Sequence, residues 1–162
     1  MKKWLFLIVA MVLFGAFFLL SKPATPEQYV AQYKVQFGID LPVPDEVYEV
    51  WSTEASFHGD GEWVTEFRYN KPLQPYQLQD LTEITEQNLA QAVQYVTHFL
   101  TRTTDLHRFD QDDKFSDAIA PYRTPITQGD YFYHQTKNKD YDTLTIVYEA
   151  GNHRIMIYEW HQ

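Results

Sequence analysis

The sequence contains no cysteine at all. Disulfide bonds, a thiol nucleophile and a zinc site with cysteine ligands are therefore excluded. Basic residues are also few, because 13 Lys and Arg stand against 22 Asp and Glu, which gives a net charge of −9. An acidic protein repels nucleic acid and anionic lipid head groups, so we expect no nucleic-acid partner.

The motifs of several common enzyme classes are also missing. The sequence has no G-x-S-x-G, no P-loop and no G-x-G-x-x-G, and its few serines lack the context of a nucleophile. We therefore assign no catalytic residue. A protein that binds rather than catalyses, without a cofactor, is the interpretation that the sequence favours.

A basic tip and a long apolar run open the chain. Met1-Lys2-Lys3 precedes Trp4 to Leu20, a run of 17 residues without a charge. Such a stretch is typical of a signal peptide or a membrane anchor, not of a folded core. No A-x-A cleavage pattern follows it, which favours an uncleaved signal anchor. Lys2 and Lys3 favour an N-terminus inside the cell and a domain outside it.

This reading divides the chain into three parts. They are a signal anchor or signal peptide (1–21), a short linker (22–25) and one extracytoplasmic domain (26–162). The protein is then a single-pass protein of the cell membrane, or a secreted one if the signal is cleaved. Without Lys2 and Lys3, eleven basic residues face twenty-two acidic ones, so the exported part carries −11.

The first half of the domain predicts one helix, two strands and a second helix. Thr25-Pro26-Glu27-Gln28 is a capping-box helix start, and apolar residues at helical spacing continue to Gly38. Alternating patterns predict strands over 46–57 and 62–69, joined by the hairpin loop His58-Gly59-Asp60-Gly61. A helical stripe then predicts the main helix over 76–100, with a possible break near 80–82.

The second half predicts an irregular segment and a three-stranded meander. Residues 101–129 show neither a helical nor a strand period. Strands are expected near 130–137, 141–150 and 153–161. The turn Gly151-Asn152 pairs Glu149 with Arg154 and Tyr148 with Ile155. The order α-β-β-α-β-β-β predicts an α+β domain with a mostly antiparallel sheet of about five strands and helices packed on one face.

Aromatic residues are abundant on the predicted strands, and both faces of the C-terminal hairpin are apolar. One layer of helices covers only one face of a sheet, so the other face is a candidate binding surface for a peptide, a glycan or a protein. The alternative is that residues 101–129 fold over it. The candidate surface comprises Trp63, Tyr69, Val147, Met156, Tyr158 and Trp160.

A divalent metal site is the alternative to a binding surface. An imidazole and a carboxylate two residues apart in the hairpin loop can bind a metal or act as an acid and base, and the acidic segment near 105–117 adds oxygen ligands for Ca²⁺ or Zn²⁺. The simpler readings are an ordinary β-turn and a solvated acidic loop. The candidate ligands are His58, Asp60, His107, Asp110 and Asp112.

The segment Phe57-His58-Gly59-Asp60-Gly61-Glu62, preceded by Gly38-Ile39-Asp40-Leu41-Pro42, resembles a known group. It is similar to small uncharacterised proteins of Gram-positive bacteria that share an F-H-G-D-G hairpin after an I-D-x-P segment. The resemblance covers about residues 30–70. It implies a bacterial origin and one domain, and it assigns no activity and no catalytic residue.

Together these patterns predict a membrane-anchored extracytoplasmic binding or accessory module. Its expected partners are the membrane, through the N-terminal helix, and a protein at the cell envelope, such as an envelope protein or a toxin against which it protects. The alternative is a metal-assisted hydrolase that uses the His58/Asp60 hairpin and carboxylates of 101–117.

Overall fold

Six strands form one antiparallel sheet in the computed structural model, which describes residues 24–53, 60–108, 114–138 and 142–162. The strand order across the sheet is β1-β2-β6-β5-β4-β3. The α+β class and the antiparallel sheet are therefore confirmed. The strands are β1 (Glu46–Ser52), β2 (Gly61–Arg68), β3 (Thr82–Glu83), β4 (Tyr131–Lys137), β5 (Asp142–Glu149) and β6 (Arg154–His161).

The first helix, α1 (Pro26–Phe37), begins and ends where the sequence predicts. The Gln28 side chain accepts the Thr25 backbone N–H at 2.8 Å, as a capping box requires. Gly38 ends the helix at φ 74°, and its N–H donates to the Lys34 carbonyl at 3.0 Å. That left-handed conformation is one that glycine adopts without strain.

The predicted main helix over 76–100 is wrong at both ends. The observed helix, α2, spans Leu89–His107, and Pro75–Gln77 is only a 3-10 turn. Asn88 stops the helix from extending backward, because its side chain accepts the Thr85 N–H at 2.7 Å and donates to the Glu83 carbonyl at 2.9 Å.

Regular structure also extends into 101–129, where the sequence predicts none. Helix α2 continues to His107, and a short helix, α3 (Lys114–Ile119), leads into a 3-10 turn at Ala120–Tyr122. The apolar side chains Phe115 and Ile119 of α3 are each 1% exposed, so burial against the sheet stabilises a helix whose sequence period is weak.

Helices cover both faces of the sheet, so the prediction that they pack on one face is wrong. Helix α1 packs on one face, here the α1 face, and α2 with α3 packs on the other, here the α2 face. Both faces of β5 and β6 are apolar, and each needs a cover. The α1 face buries Phe67, Leu144, Ile146, Tyr148, Ile155 and Ile157; the α2 face buries Val64, Val147, Met156, Tyr158 and Trp160.

Strand parity fails at one point. The sequence places Val47 and Trp51 on one face, but the pairing of β1 with β2 shifts between Glu49 and Trp51. Val50 is the extra residue of this bulge. Trp51 therefore lies on the α2 face, and its ring lies 5.2 Å from that of Phe115 in α3.

The predicted pairing of the last hairpin is confirmed, although its turn is longer. Glu149 pairs with Arg154 and Tyr148 with Ile155. The connection comprises residues 150–153 rather than two residues, because Asn152 N–H donates to the Glu149 carbonyl at 3.1 Å and His153 takes φ 51°.

The predicted signal anchor lies outside the described residues. Among the helices that the structure describes, none is long and apolar enough to cross a bilayer. A signal anchor or signal peptide over residues 1–21 stays a prediction. Residues 26–162 contain the whole described sheet and its helices.

Candidate functional site

Four residues of the predicted binding surface are core residues of the α2 face. Their side chains are almost completely buried beneath α2 and α3, so they do not form an open surface by themselves. The alternative, that the segment after residue 100 folds over them, is what the structure shows. Their exposed fractions are 2% for Val147, 0% for Met156, 5% for Tyr158 and 2% for Trp160.

Contacts from α2 explain this burial. The Phe99 ring lies 5.3 Å from the Tyr158 ring. The Arg102 guanidinium lies 3.6 Å from the centre of the Trp160 ring, within cation–π range. Burial lowers the pKa of Arg102 from its usual value.

The other two residues lie away from this layer. Trp63 is half-buried on the α1 face, with its ring 5.4 Å from that of His161. Tyr69 is 8% exposed, and its hydroxyl donates to the Pro42 carbonyl at 2.9 Å. Burial raises the pKa of Tyr69 far above that of a free phenol. The predicted set is therefore split between the two faces of the sheet.

An open cleft nevertheless remains on the α2 face, between α2 and the segment that follows α3. Its volume is about 430 Å³, within the range of ligand pockets. Most of its lining is aliphatic or aromatic. This feature, called the apolar cleft below, is lined by Val93, Val96, Thr97, Leu100, Ile119, Tyr122, Arg123, Thr124, Pro125, Ile126, Val147, Glu149 and Tyr158.

Tyr158 brings a hydroxyl group to the apolar cleft. The residue is 5% exposed and lines the cleft together with Val147. Burial raises the pKa of Tyr158 far above that of a free phenol, so the hydroxyl keeps its proton and remains a donor.

Arg154 fixes the outer wall of the apolar cleft to the sheet. Its Nε lies 2.8 Å from Glu149 Oε2, and its Nη1 lies 3.5 Å from Glu66 Oε1. Its Nη2 donates to the Tyr122 carbonyl at 3.4 Å and also to the Thr124 hydroxyl. One mostly buried guanidinium therefore joins two strands to the segment after α3.

Two of the five predicted metal ligands lie together. Asp60 and His107 line one surface depression beside Glu62, and His107 Nε2 lies 3.4 Å from Glu62 Oε2. His58, Asp110 and Asp112 lie outside the described residues. Within the described ranges, no group of three or more His, Asp or Glu side chains is arranged to hold a metal ion.

Several residues of the apolar cleft were not predicted from the sequence. Val93, Val96 and Leu100 were recognised only as part of a helical stripe, and the wall from Ile119 to Ile126 was assigned to an irregular segment. Its apolar residues alternate with Pro121, Pro125 and polar residues, so no period identifies them.

The apolar cleft offers an apolar lining together with the hydroxyl of the buried Tyr158. It can hold an apolar group that carries a hydrogen-bond acceptor. Comparisons with protein-family models, with curated proteins and with solved structures find no match for this chain.

Proposed function

We propose that this chain is a binding module whose apolar cleft holds an apolar peptide segment of a partner protein. The observation that carries the proposal is an open, mostly apolar cleft lined by the 5% exposed Tyr158, whose hydroxyl is a hydrogen-bond donor. A ligand that supplies an acceptor can receive a hydrogen bond from this hydroxyl.

A peptide suits the apolar cleft better than other ligands. Its side chains match the aliphatic lining, and its backbone carbonyls are acceptors for the Tyr158 hydroxyl. Val93 leaves 40% of its side chain exposed at the cleft, where it can contact such a partner. The net charge of −9 disfavours polyanions.

We further propose that residues 1–21 hold the module at the outer side of the cell membrane. The support is the uncharged run from Trp4 to Leu20 behind Lys2 and Lys3. The partner is then a protein of the cell envelope, either a resident protein or a toxin against which the module protects. If the segment is cleaved, the module is released and binds its partner outside the cell.

Photo-crosslinking tests the binding function. Val93 is replaced by p-benzoylphenylalanine in the full chain, in the cells that produce it, and the cells are irradiated. We expect one discrete cross-linked protein. Adding Thr97→Trp should abolish the product, because Thr97 lines the apolar cleft and is exposed, so a large ring there covers the opening. The matched Gln94→Trp, also exposed on α2, should leave the product unchanged.

Two results would contradict the binding function. One is the absence of any cross-linked protein from position 93. The other is a product that Thr97→Trp and Gln94→Trp reduce equally, because the contact would then not depend on the apolar cleft.

A metal-assisted hydrolase is the second candidate. The observation in its favour is that Asp60 and His107 line the same depression. A bound ion should raise the melting temperature of the full chain with Ca²⁺ or Zn²⁺, and EDTA should reverse the rise. His107→Ala should abolish the effect, whereas His153→Ala, in the last hairpin, should not. If no ion shifts the melting temperature, this candidate is rejected.

A further inference from the structure

A second cavity lies on the α1 face, between α1 and strands β1, β2 and β6. Its volume is about 380 Å³, and none of its lining residues belongs to the apolar cleft. Its walls combine aromatic rings with acidic groups. The residues that define this aromatic–acidic cavity are Tyr29, Tyr33, Trp63, Glu49, Glu159 and His161.

The fold brings these residues together from four elements. Tyr29 and Tyr33 are four residues apart on α1 and therefore share one side of the helix. On the sheet, Trp63 of β2 pairs with Glu159 of β6, while Glu49 of β1 pairs with Thr65, the next residue of β2 on the same face. The carboxylates of Glu49 and Glu159 therefore lie on the two strands that flank β2.

Glu159 is the buried anion of this cavity. It is 7% exposed; the Tyr33 hydroxyl donates to its Oε1, and His161 Nε2 lies 3.4 Å from its Oε2. Burial and the charge of Glu159 raise the pKa of Tyr33, so the phenol keeps its proton and stays a donor. A buried carboxylate is stabilised most strongly by a nearby cation. Among the residues that the structure describes, no Lys or Arg lines the cavity.

His161 compensates only part of this negative charge. Its Nδ1 lies 3.4 Å from Asp142 Oδ1, so two carboxylates share one imidazole. The hydrogen bond to Glu159 raises the pKa of His161, and Asp142 acts in the same direction. Even when His161 is protonated, its one positive charge faces three carboxylates: Glu49 and Glu159 in the cavity and Asp142 beside it.

We propose that the aromatic–acidic cavity binds an organic ammonium group. Carboxylate oxygens of Glu49 and Glu159 accept its N–H donors, and the Tyr29, Tyr33 and Trp63 rings attract its charge through cation–π contacts. Aromatic rings are not ligands for metal ions, which favours an organic cation. The ammonium group belongs either to a free amine or to a lysine side chain of another protein. This site is independent of the apolar cleft.

Titration of the full chain with butylammonium, followed by NMR at the Trp63 indole N–H, tests the site. The signal is assigned with Trp63→Phe. We expect saturable binding of butylammonium and none of 1-butanol, its neutral analogue. Glu49→Gln should raise the dissociation constant by roughly two- to fivefold, the effect of one exposed charge pair. Glu46→Gln, an exposed carboxylate of the same strand outside the cavity, should leave it unchanged.

Glu159→Gln should weaken binding by about tenfold or more, because the charge it removes is buried. If Glu159→Gln unfolds, the comparison of Glu49→Gln with Glu46→Gln still tests the site, because both residues are exposed. Tighter binding of Nα-acetyl-lysine amide than of butylammonium assigns the site to a lysine side chain, and the reverse assigns it to a free amine. The proposal is overturned if neither amine saturates the Trp63 signal, if 1-butanol binds equally well, or if Glu49→Gln and Glu46→Gln behave alike.

Discussion

Replacing Arg154 by Met should strongly destabilise the protein, because its guanidinium is shared by two buried carboxylates. The Arg154 side chain is 11% exposed and has two carboxylate partners. Glu149 is 6% exposed and Glu66 is completely buried. Methionine keeps the aliphatic stem that packs under the cleft wall but removes the charge and all the donors.

The expected loss of unfolding free energy depends on which partners Glu66 and Glu149 keep once Arg154 is removed. Removing one partner of a buried ion pair costs about 3–5 kcal/mol, because the other charge stays buried and uncompensated. Glu66 keeps Arg68, whose Nε lies 2.9 Å from Oε1, whereas the partner that Glu149 keeps among the described residues is the neutral Asn152 amide at 2.7 Å. Because the two carboxylates are buried but Arg154 is 11% exposed, we expect the lower end of that range, about 3 kcal/mol.

Urea unfolding of the full chain, followed by tryptophan fluorescence, measures this loss. Arg68→Met is the matched control: it removes another Glu66 partner, but its side chain is 47% exposed, so its loss should stay near 1 kcal/mol or below. Adding Glu149→Gln to Arg154→Met should recover about 1 kcal/mol or more, because it removes the uncompensated charge. Two results would contradict this prediction. One is a loss of unfolding free energy no larger than that of Arg68→Met, and the other is a further loss when Glu149→Gln is added.

Two further predictions concern histidines and glycines. NMR titration should give His161 a pKa above the ordinary 6.5, because Glu159 accepts its hydrogen bond, and His134 a pKa below 6.5, because His134 is partly buried. His161 therefore stabilises the fold below about pH 6.5, and this stabilisation is lost as the pH rises through its raised folded pKa. The stability associated with His134 is present above about pH 6.5 and is lost as the pH falls through its lowered folded pKa. Reversed or ordinary values would contradict the described contacts. Gly38→Ala should cost about 1 kcal/mol in urea unfolding, since φ is 74°, whereas Gly151→Ala should be close to neutral; equal effects would contradict the helix end described here.

Local patterns predicted the parts of the fold that local interactions determine. The capping box of Thr25 and Gln28 defines the start of α1, and the alternation around Glu149 and Arg154 defines the last hairpin. The start of α2 was missed because Asn88 binds the turn before it, a contact between side chain and backbone that leaves no apolar period.

The sites were harder to predict because each depends on residues far apart in the sequence. The bulge at Val50 moves Trp51 to the other face, and parity cannot detect an inserted residue. The sequence identified Tyr158 as an aromatic of the binding surface, but not the wall that leaves a cleft above it. The aromatic–acidic cavity was missed because it forms only when α1 lies over Glu159.

Identification of the segment that cross-links to position 93 tests the binding function most directly. After irradiation of the full chain with p-benzoylphenylalanine at Val93, mass spectrometry of the digested product reads the attached peptide. We expect one apolar segment of another protein to be attached. The attachment should persist with Gln94→Trp and disappear with Thr97→Trp. Attachment only to lipid, or to scattered sites on many proteins, would contradict the binding function.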